Sequence, residues 1–345
     1  GVACSVSRTG ALQWVLVAVL CAMWAWQRGQ RALLWAALAA PVLGVLWSVL
    51  MPWAATLTTG QLGASIILRV AGQAQDYGVC GSRSVLWSNV LTMVAQKPWF
   101  GWGWGETDYA HFITAYSGTR FCDILDNAHD FPLHLALEFG VPFAVATLTW
   151  MALWLWRQQP WREASALRLT AWGWLLVIGV HSVLEYPLWY GPFQMTAGLA
   201  LGMVWTRADE HTVQPSSDRV QAAWMTMACV VFVACLYAAW DFKRVGQVYK
   251  APAARDAAYA ANPLAYAKQS WLFQNQAEFA ELSLTPTTPE NAEQIYELAQ
   301  RLMHYSPEPR VVQRVVEAAE VLNVDAEQTA LLKMRLEASK VVKMQ

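Results

Sequence analysis

Charge is what this sequence has least of. Asp, Glu, Lys and Arg make up 14% of its 345 residues, against roughly a quarter in an ordinary soluble domain. No run of Lys or Arg appears and the net charge is −1, which argues against a nucleic-acid binder. No Asp-x-Asp motif or glycine-rich nucleotide loop is present, so nothing points to a bound nucleotide. The six cysteines include no pair at zinc-type spacing with histidines, so neither a structural metal nor any other cofactor is expected. The chain opens Gly1-Val2-Ala3, with no charged leader running into a cleavage site. It reads as a piece of a longer membrane protein.

What is abundant is apolar, at 56% of the chain. Residues 1–240 hold 20 of the 21 tryptophans but only 24 of the 49 charged side chains. Indole rings suit two lipid–water interfaces, having an apolar body and one N–H for the headgroups. The expected organisation is therefore a membrane domain over 1–240 and a soluble helical domain over 241–345. Six apolar stretches, near 11–26, 32–51, 132–156, 169–186, 189–206 and 220–240, are candidate spans. Each must be helical, because lipid offers the backbone no partners. The fold class is all-α: a polytopic helical membrane protein with a large external loop.

Arg28 and Arg31, then Arg157, Arg162 and Arg168, then Arg207 and Arg219 occupy three short loops. The positive-inside rule puts those loops in the cytoplasm. The loop 52–131, the turn around Pro187 and everything after Trp240 then face away from the cytoplasm. A loop of some 80 residues is far longer than a connector needs. It holds an amphipathic stretch, Ser84–Val94, and a run Trp99-Phe100-Gly101-Trp102-Gly103-Trp104-Gly105. That run suits either an interfacial anchor or close backbone approach to a ligand. Cys80 and Cys122 both fall in this loop, where a disulfide would persist; two free thiols are the alternative. In the tail, Ile295, Leu298, Ala299 and Leu302, then Val312, Val315, Val316 and Ala319, repeat at helical spacing. Either tetratricopeptide-like hairpins or a small bundle fits.

Ionisable residues at membrane spans are costly, which makes them functional candidates. Here they are Arg8, Arg83, His129, His181 and Glu185, all assigned to one face. Each has a plainer alternative. Arg8 could be an interfacial anchor, Arg83 the partner of Asp76 or another loop carboxylate, and His129 a cap for the next helix or a hydrogen-bonding group within the loop. His181 and Glu185, one helical turn apart, could be a buried pair bracing two helices.

Four segments resemble one known family, that of O-antigen ligases, O-antigen polymerases and bacterial protein O-oligosaccharyltransferases. They are Ser7-Arg8-Thr9-Gly10, the run Pro98–Gly105, Arg120–Asp130 with its Asn127-Ala128-His129 core, and His181-Ser182-Val183-Leu184-Glu185-Tyr186-Pro187-Leu188. The last segment and the helical tail look like the protein O-oligosaccharyltransferase branch, and the chain like the C-terminal half or so of such an enzyme. The resemblance implies a bacterial inner-membrane glycosyltransferase with its site on the periplasmic side. Its donor would be an oligosaccharide on polyprenyl pyrophosphate. Its acceptor would be a Ser or Thr of an exported protein, or lipid A core. By the same resemblance Arg8, Arg83 and His129 are the expected catalytic residues. Guanidinium groups would face the leaving pyrophosphate, and an imidazole would take the acceptor's proton. His181, Glu185, Asn127 and Tyr186 are candidates for substrate binding. A repeat-unit polymerase, or a non-catalytic scaffold or transporter, is the competing reading.

Overall fold

A computed structural model describes residues 8–59, 79–205 and 217–324, with a few positions between 326 and 334. Helices dominate, and no strand occurs among the described residues. The chain forms two compact units, one of residues 1–107 and 114–207, the other of 108–113 and 208–345.

In the first unit α1 (Arg8–Gln27) and α2 (Arg31–Thr59) pack as a hairpin turned at Gly29. Next comes α3 (Arg83–Gln96), whose first turn is capped by Ser82 accepting from the Val85 N–H. α5 (Phe131–Phe139) and α6 (Val141–Gln158) follow, then α7 (Ala166–Leu184) and α8 (Gly191–Trp205). α7 and α8 share a core of Ala171, Trp172, Ala200 and Val204.

Among the described residues, four helical segments are long and apolar enough to cross a membrane: Thr9–Gln27, Arg31–Ser48, Ala166–Leu184 and Asp218–Tyr249. The apolar stretch 132–156, expected as one span, is instead broken at Gly140 into the nine-residue α5 and the 18-residue α6. The break has a steric cause. Gly140 has φ +89° and lies against Trp99, where an added Cβ would overlap the Trp99 carbonyl. The stretch 189–206 yields the 15-residue α8. Both α6 and α8 keep large apolar side chains exposed, among them Phe143, Trp150, Met195 and Leu199.

Helix directions sort the charges. Near the end of α1, the Trp24 Nε1–H donates to the Glu163 carbonyl at 3.0 Å. Halfway along, the Gln13 amide donates to the Val177 carbonyl at 3.0 Å. So α1 and α7 run antiparallel, and Arg28, Arg162 and Arg168 share one end. Arg168 there donates to the Val204 carbonyl at the end of α8. Glu185 lies at the opposite end, about 25 Å away by helical rise.

The second unit contains α4 (Thr107–Ile113, from Asp108 on), α9 (Asp218–Gly246), α10 (Pro263–Ala267), α11 (Gln274–Leu284), α12 (Ala292–Tyr305) and α13 (Pro309–Leu322). The tail positions read from sequence are all buried, with Ile295, Leu298, Leu302, Val312, Val315 and Val316 forming its main core. The end of α9 joins a separate core, in which Val245 and Val248 meet Ala267, Ala277 and Ala280. Buried Asp241 bonds Arg244 and accepts from the Ser270 hydroxyl and the Leu272 N–H.

Candidate active site

α3 organises the long loop of the first unit. Its inner face repeats Leu86, Asn89, Val90 and Met93. The polar member, Asn89, clamps the segment leading toward the site: its amide donates to the Thr119 carbonyl and its oxygen accepts from the Phe121 N–H. The Trp87 Nε1–H donates to the Ala128 carbonyl. A disulfide joins Cys80 to Cys122, with Cα atoms 5.3 Å apart. It ties the residues just before Arg83 to those approaching His129. Neither Asn89 nor Trp87 was singled out in the sequence. The one usable signal was a lone amide on an otherwise apolar helix face.

The tryptophan–glycine run also packs in this unit. Gly101, with φ +69°, crosses the Glu138–Phe139 backbone so closely that a Cβ would overlap it. The Trp102 indole turns inward and donates to the Met93 carbonyl at 3.0 Å, with the Lys97 ammonium 4.1 Å over its ring. Trp99, Phe100 and Trp104 stay outward. Gly101 therefore serves the approach of one backbone to another.

Three expected residues meet. The Glu185 carboxylate takes the Arg83 guanidinium on one oxygen and His129 Nδ1, at 2.7 Å, on the other. Their side chains are between a quarter and two-fifths exposed, so the trio is shielded yet reachable. The carboxyl is held below the usual glutamate range, first by the His129 hydrogen bond, against burial, and then by the charge of Arg83. His129 has φ +50°, a conformation that costs a non-glycine residue energy and tends to mark functional positions. Its N–H is satisfied by Asn127 Oδ1 at 2.8 Å, and its ring meets Tyr186 edge-on at 4.7 Å. The Tyr186 hydroxyl is pushed up to about 12, foremost by its hydrogen bond with Tyr190, then by burial. It stays a neutral phenol.

Several plainer readings fail here. Asp130, with its carboxylate on the Leu133 N–H, caps α5 in place of His129. Arg83 binds the Glu185 carboxylate, 102 residues along the chain; Asp76, its other expected partner, lies outside the described residues. His181 and Glu185 do not share a helix face. α7 ends at Leu184, Glu185 turns away in extended conformation, and His181 instead meets the Phe193 ring edge-on. Arg8 opens α1, and its side chain lies outside the described residues, as does all of Ser7. The backbone of Arg8 is about 7 Å beyond Gln13, and Glu185 about 12 Å beyond Val177. The start of α1 is therefore at the Glu185 end of the helix pair, within about a turn of its level. Among the described residues no three of His, Cys, Asp or Glu converge to hold a metal.

Residues 1–148 match the family model described as O-antigen ligase, so this part of the chain is similar to that family. Residues 169–336 match a second model, described as virulence factor membrane-bound polymerase, C-terminal. A general O-oligosaccharyltransferase of Acinetobacter baylyi (strain ATCC 33305 / BD413 / ADP1) is 27% identical over 135 residues, 37% of this chain. The match spans only 22% of that relative's length. No solved structure matches the chain. These matches and the long apolar helices agree with a multi-pass membrane protein.

Proposed function

We propose that this chain carries the active site of an inner-membrane oligosaccharide transferase facing the periplasm. The donor is an oligosaccharide on polyprenyl pyrophosphate, and the acceptor is a Ser or Thr hydroxyl of an exported protein or a sugar of lipid A core. The observation that carries this reading is the Glu185 carboxylate between Arg83 and His129.

With Nδ1 on Glu185, the other ring nitrogen of His129, Nε2, is the base. It takes the acceptor hydroxyl's proton as that oxygen bonds the anomeric carbon. The bond from that carbon to the phosphate oxygen breaks, and polyprenyl pyrophosphate leaves with the electron pair. Arg83 spends one corner of its five-donor fork on Glu185 and offers the rest to the leaving oxygens. Arg8, opening α1 at this end, is the second phosphate-binding guanidinium. Asn127 and Tyr186 orient His129, and His181 braces the helix end beside them. The disulfide supports an oxidising compartment, and the arginine-rich loops at the other end support a cytoplasmic opposite face. In this reading residues 1–240 are the membrane domain with its periplasmic loop. The tail, 241–345, is a periplasmic, tetratricopeptide-like domain that meets the acceptor.

The test is Arg8→Ala, Arg83→Ala and His129→Ala in the full-length enzyme, assayed for glycan transfer with membrane insertion checked separately. Each substitution should abolish transfer. Transfer kept by His129→Ala removes the base. The match of residues 169–336 to a polymerase model favours a second reading, in which the acceptor is another lipid-linked repeat unit. Lengthened lipid-linked glycan, with no glycosylated exported protein, selects it.

A further inference from the structure

Just beneath the trio lies a small pocket lined by Asn127, His134, Ser182, Glu185, Tyr186 and Trp189, among others. Its volume is about 10 Å³, close to the minimum that holds one water. Two of its lining side chains are almost fully buried, Asn127 at 2% exposure and His134 at 4%, yet each keeps a polar atom without a partner. Those atoms are Asn127 Nδ2 and His134 Nδ1. Leaving a buried polar atom without a hydrogen bond is costly, so two lining one pocket call for a shared partner.

Their hydrogen-bonding senses are fixed by their other ends. Asn127 Oδ1 must be the oxygen, because it accepts the His129 N–H at 2.8 Å; Nδ2 is therefore a donor. His134 Nε2 faces Glu138 Oε1 at 3.5 Å. That oxygen also accepts from the Gly105 N–H and the Thr107 hydroxyl. The nitrogen facing it carries the proton, and burial pushes His134 down to about 4, which keeps the ring neutral. Nδ1 is left as an acceptor. One orphan gives a proton and the other takes one. Glu185, with two of its roughly four acceptor positions filled by Arg83 and His129, lines the same space.

We infer that a single ordered water occupies this pocket, accepting from Asn127 Nδ2 and donating to His134 Nδ1 and to Glu185. Asn127 and His134 are thereby positioning residues for the carboxylate that orients His129. Three hydrogen bonds are the usual complement of a buried water. The inference extends Glu138, through His134 and the water, to Glu185 and His129. Its effect on turnover rests on the proposed transferase reading; the water itself does not.

The test has two arms, both on the full-length enzyme in lipid nanodiscs. A density map that resolves waters should show one peak within about 3.2 Å of both Asn127 Nδ2 and His134 Nδ1. A well-ordered pocket without that peak overturns the inference. In the second arm, His134→Leu removes the acceptor, whereas His134→Asn puts an amide oxygen near the place of Nδ1. The leucine variant should lose roughly tenfold in kcat with KM kept, and the pH profile of transfer should shift. The asparagine variant should stay within about twofold of wild type. Equal impairment of the two variants, or none in either, overturns the positioning role. If the wild-type enzyme transfers no glycan, the transferase reading falls, and the density alone decides the water.

Discussion

His129 is held by Glu185 through Nδ1, 2.7 Å from a carboxylate oxygen 56 residues further along the chain. The same carboxylate binds Arg83, so one acidic side chain sets the orientation of both a ring and a guanidinium. A carboxylate in this place fixes which ring nitrogen carries the proton and leaves the other exposed to a substrate.

Glu185→Ala should therefore lower glycan transfer by on the order of 100-fold or more, the cost of releasing positioned catalytic groups. Glu185→Gln keeps an acceptor for one partner but removes the charge, and should fall between the two. The measurement is single-turnover transfer in the full-length enzyme at matched membrane levels. Unchanged transfer by Glu185→Ala would show that the trio only braces the fold.

The Glu185 carboxyl is shifted below its ordinary value of 4.5, first by the His129 hydrogen bond and then, against burial, by Arg83. A lowered folded pKa contributes stability that is complete above about pH 4.5 and is lost as pH falls through the folded value. Melting temperatures of wild type and Glu185→Gln should differ near about pH 7 and converge once the pH falls below the folded value of the carboxyl. A gap that persists in acid would place the effect of the substitution in packing.

Arg83→Lys keeps the charge and loses the planar fork that serves Glu185 and a phosphate at once. Transfer should drop at least about tenfold, because a point charge cannot satisfy both. Near-wild-type activity would reduce the role of Arg83 to charge alone.

Closing 42 residues of separation, the Cys80–Cys122 bridge should stabilise the loop by about 4 kcal/mol. Cys122→Ser should free the segment between Asn89 and His129. The loss should appear as faster proteolysis of residues 115–128 and weaker transfer, each also produced by reductant in the wild type. Equal protease resistance with and without reductant would sink this.

Much of this was legible in the residues, and the parts that were not share one cause. Ile295 through Leu302 and Val312 through Val316 announce their helices by local spacing, and the tail core follows. Arg83 and His129 stand out as rare ions beside apolar runs. The role of Glu185 is hidden because helical periodicity pairs it with His181, whereas α7 stops one residue short and lets it turn toward residues far away in sequence. The break at Gly140 was hidden for a similar reason. Composition across 132–156 is continuous, and only the crossing of the Trp99 carbonyl demands a glycine with positive φ. Local pattern gives elements; long-range contact decides where they end.

The crossing itself can be tested. Gly140→Ala meets both a φ of +89° and the Trp99 carbonyl, and Gly101→Ala meets the Glu138 backbone. Each should cost about 1–3 kcal/mol or more, seen as a lower melting temperature. Gly105→Ala is the control for backbone strain alone, since it has φ +76° but open space around the added methyl. A Gly140→Ala loss no larger than that of Gly105→Ala would mean that strain, and not overlap, sets the requirement.

The tail depends on a helix from the middle of the long loop. Tyr109 and Phe112 of α4 pack against the Leu298–Leu302 and Val311–Val316 core, and the Tyr109 ring lies 3.8 Å from that of His304. Ala110 between them is fully buried. The tail core is therefore incomplete without residues 108–113, although more than a hundred residues of sequence separate them from α9. Phe112→Ala should destabilise that core by about 2–4 kcal/mol, and hydrogen exchange should accelerate in α12 and α13 while α3 stays protected. If α12 and α13 exchange as slowly as in the wild type, the tail folds without the loop helix, and its part in completing that core is lost.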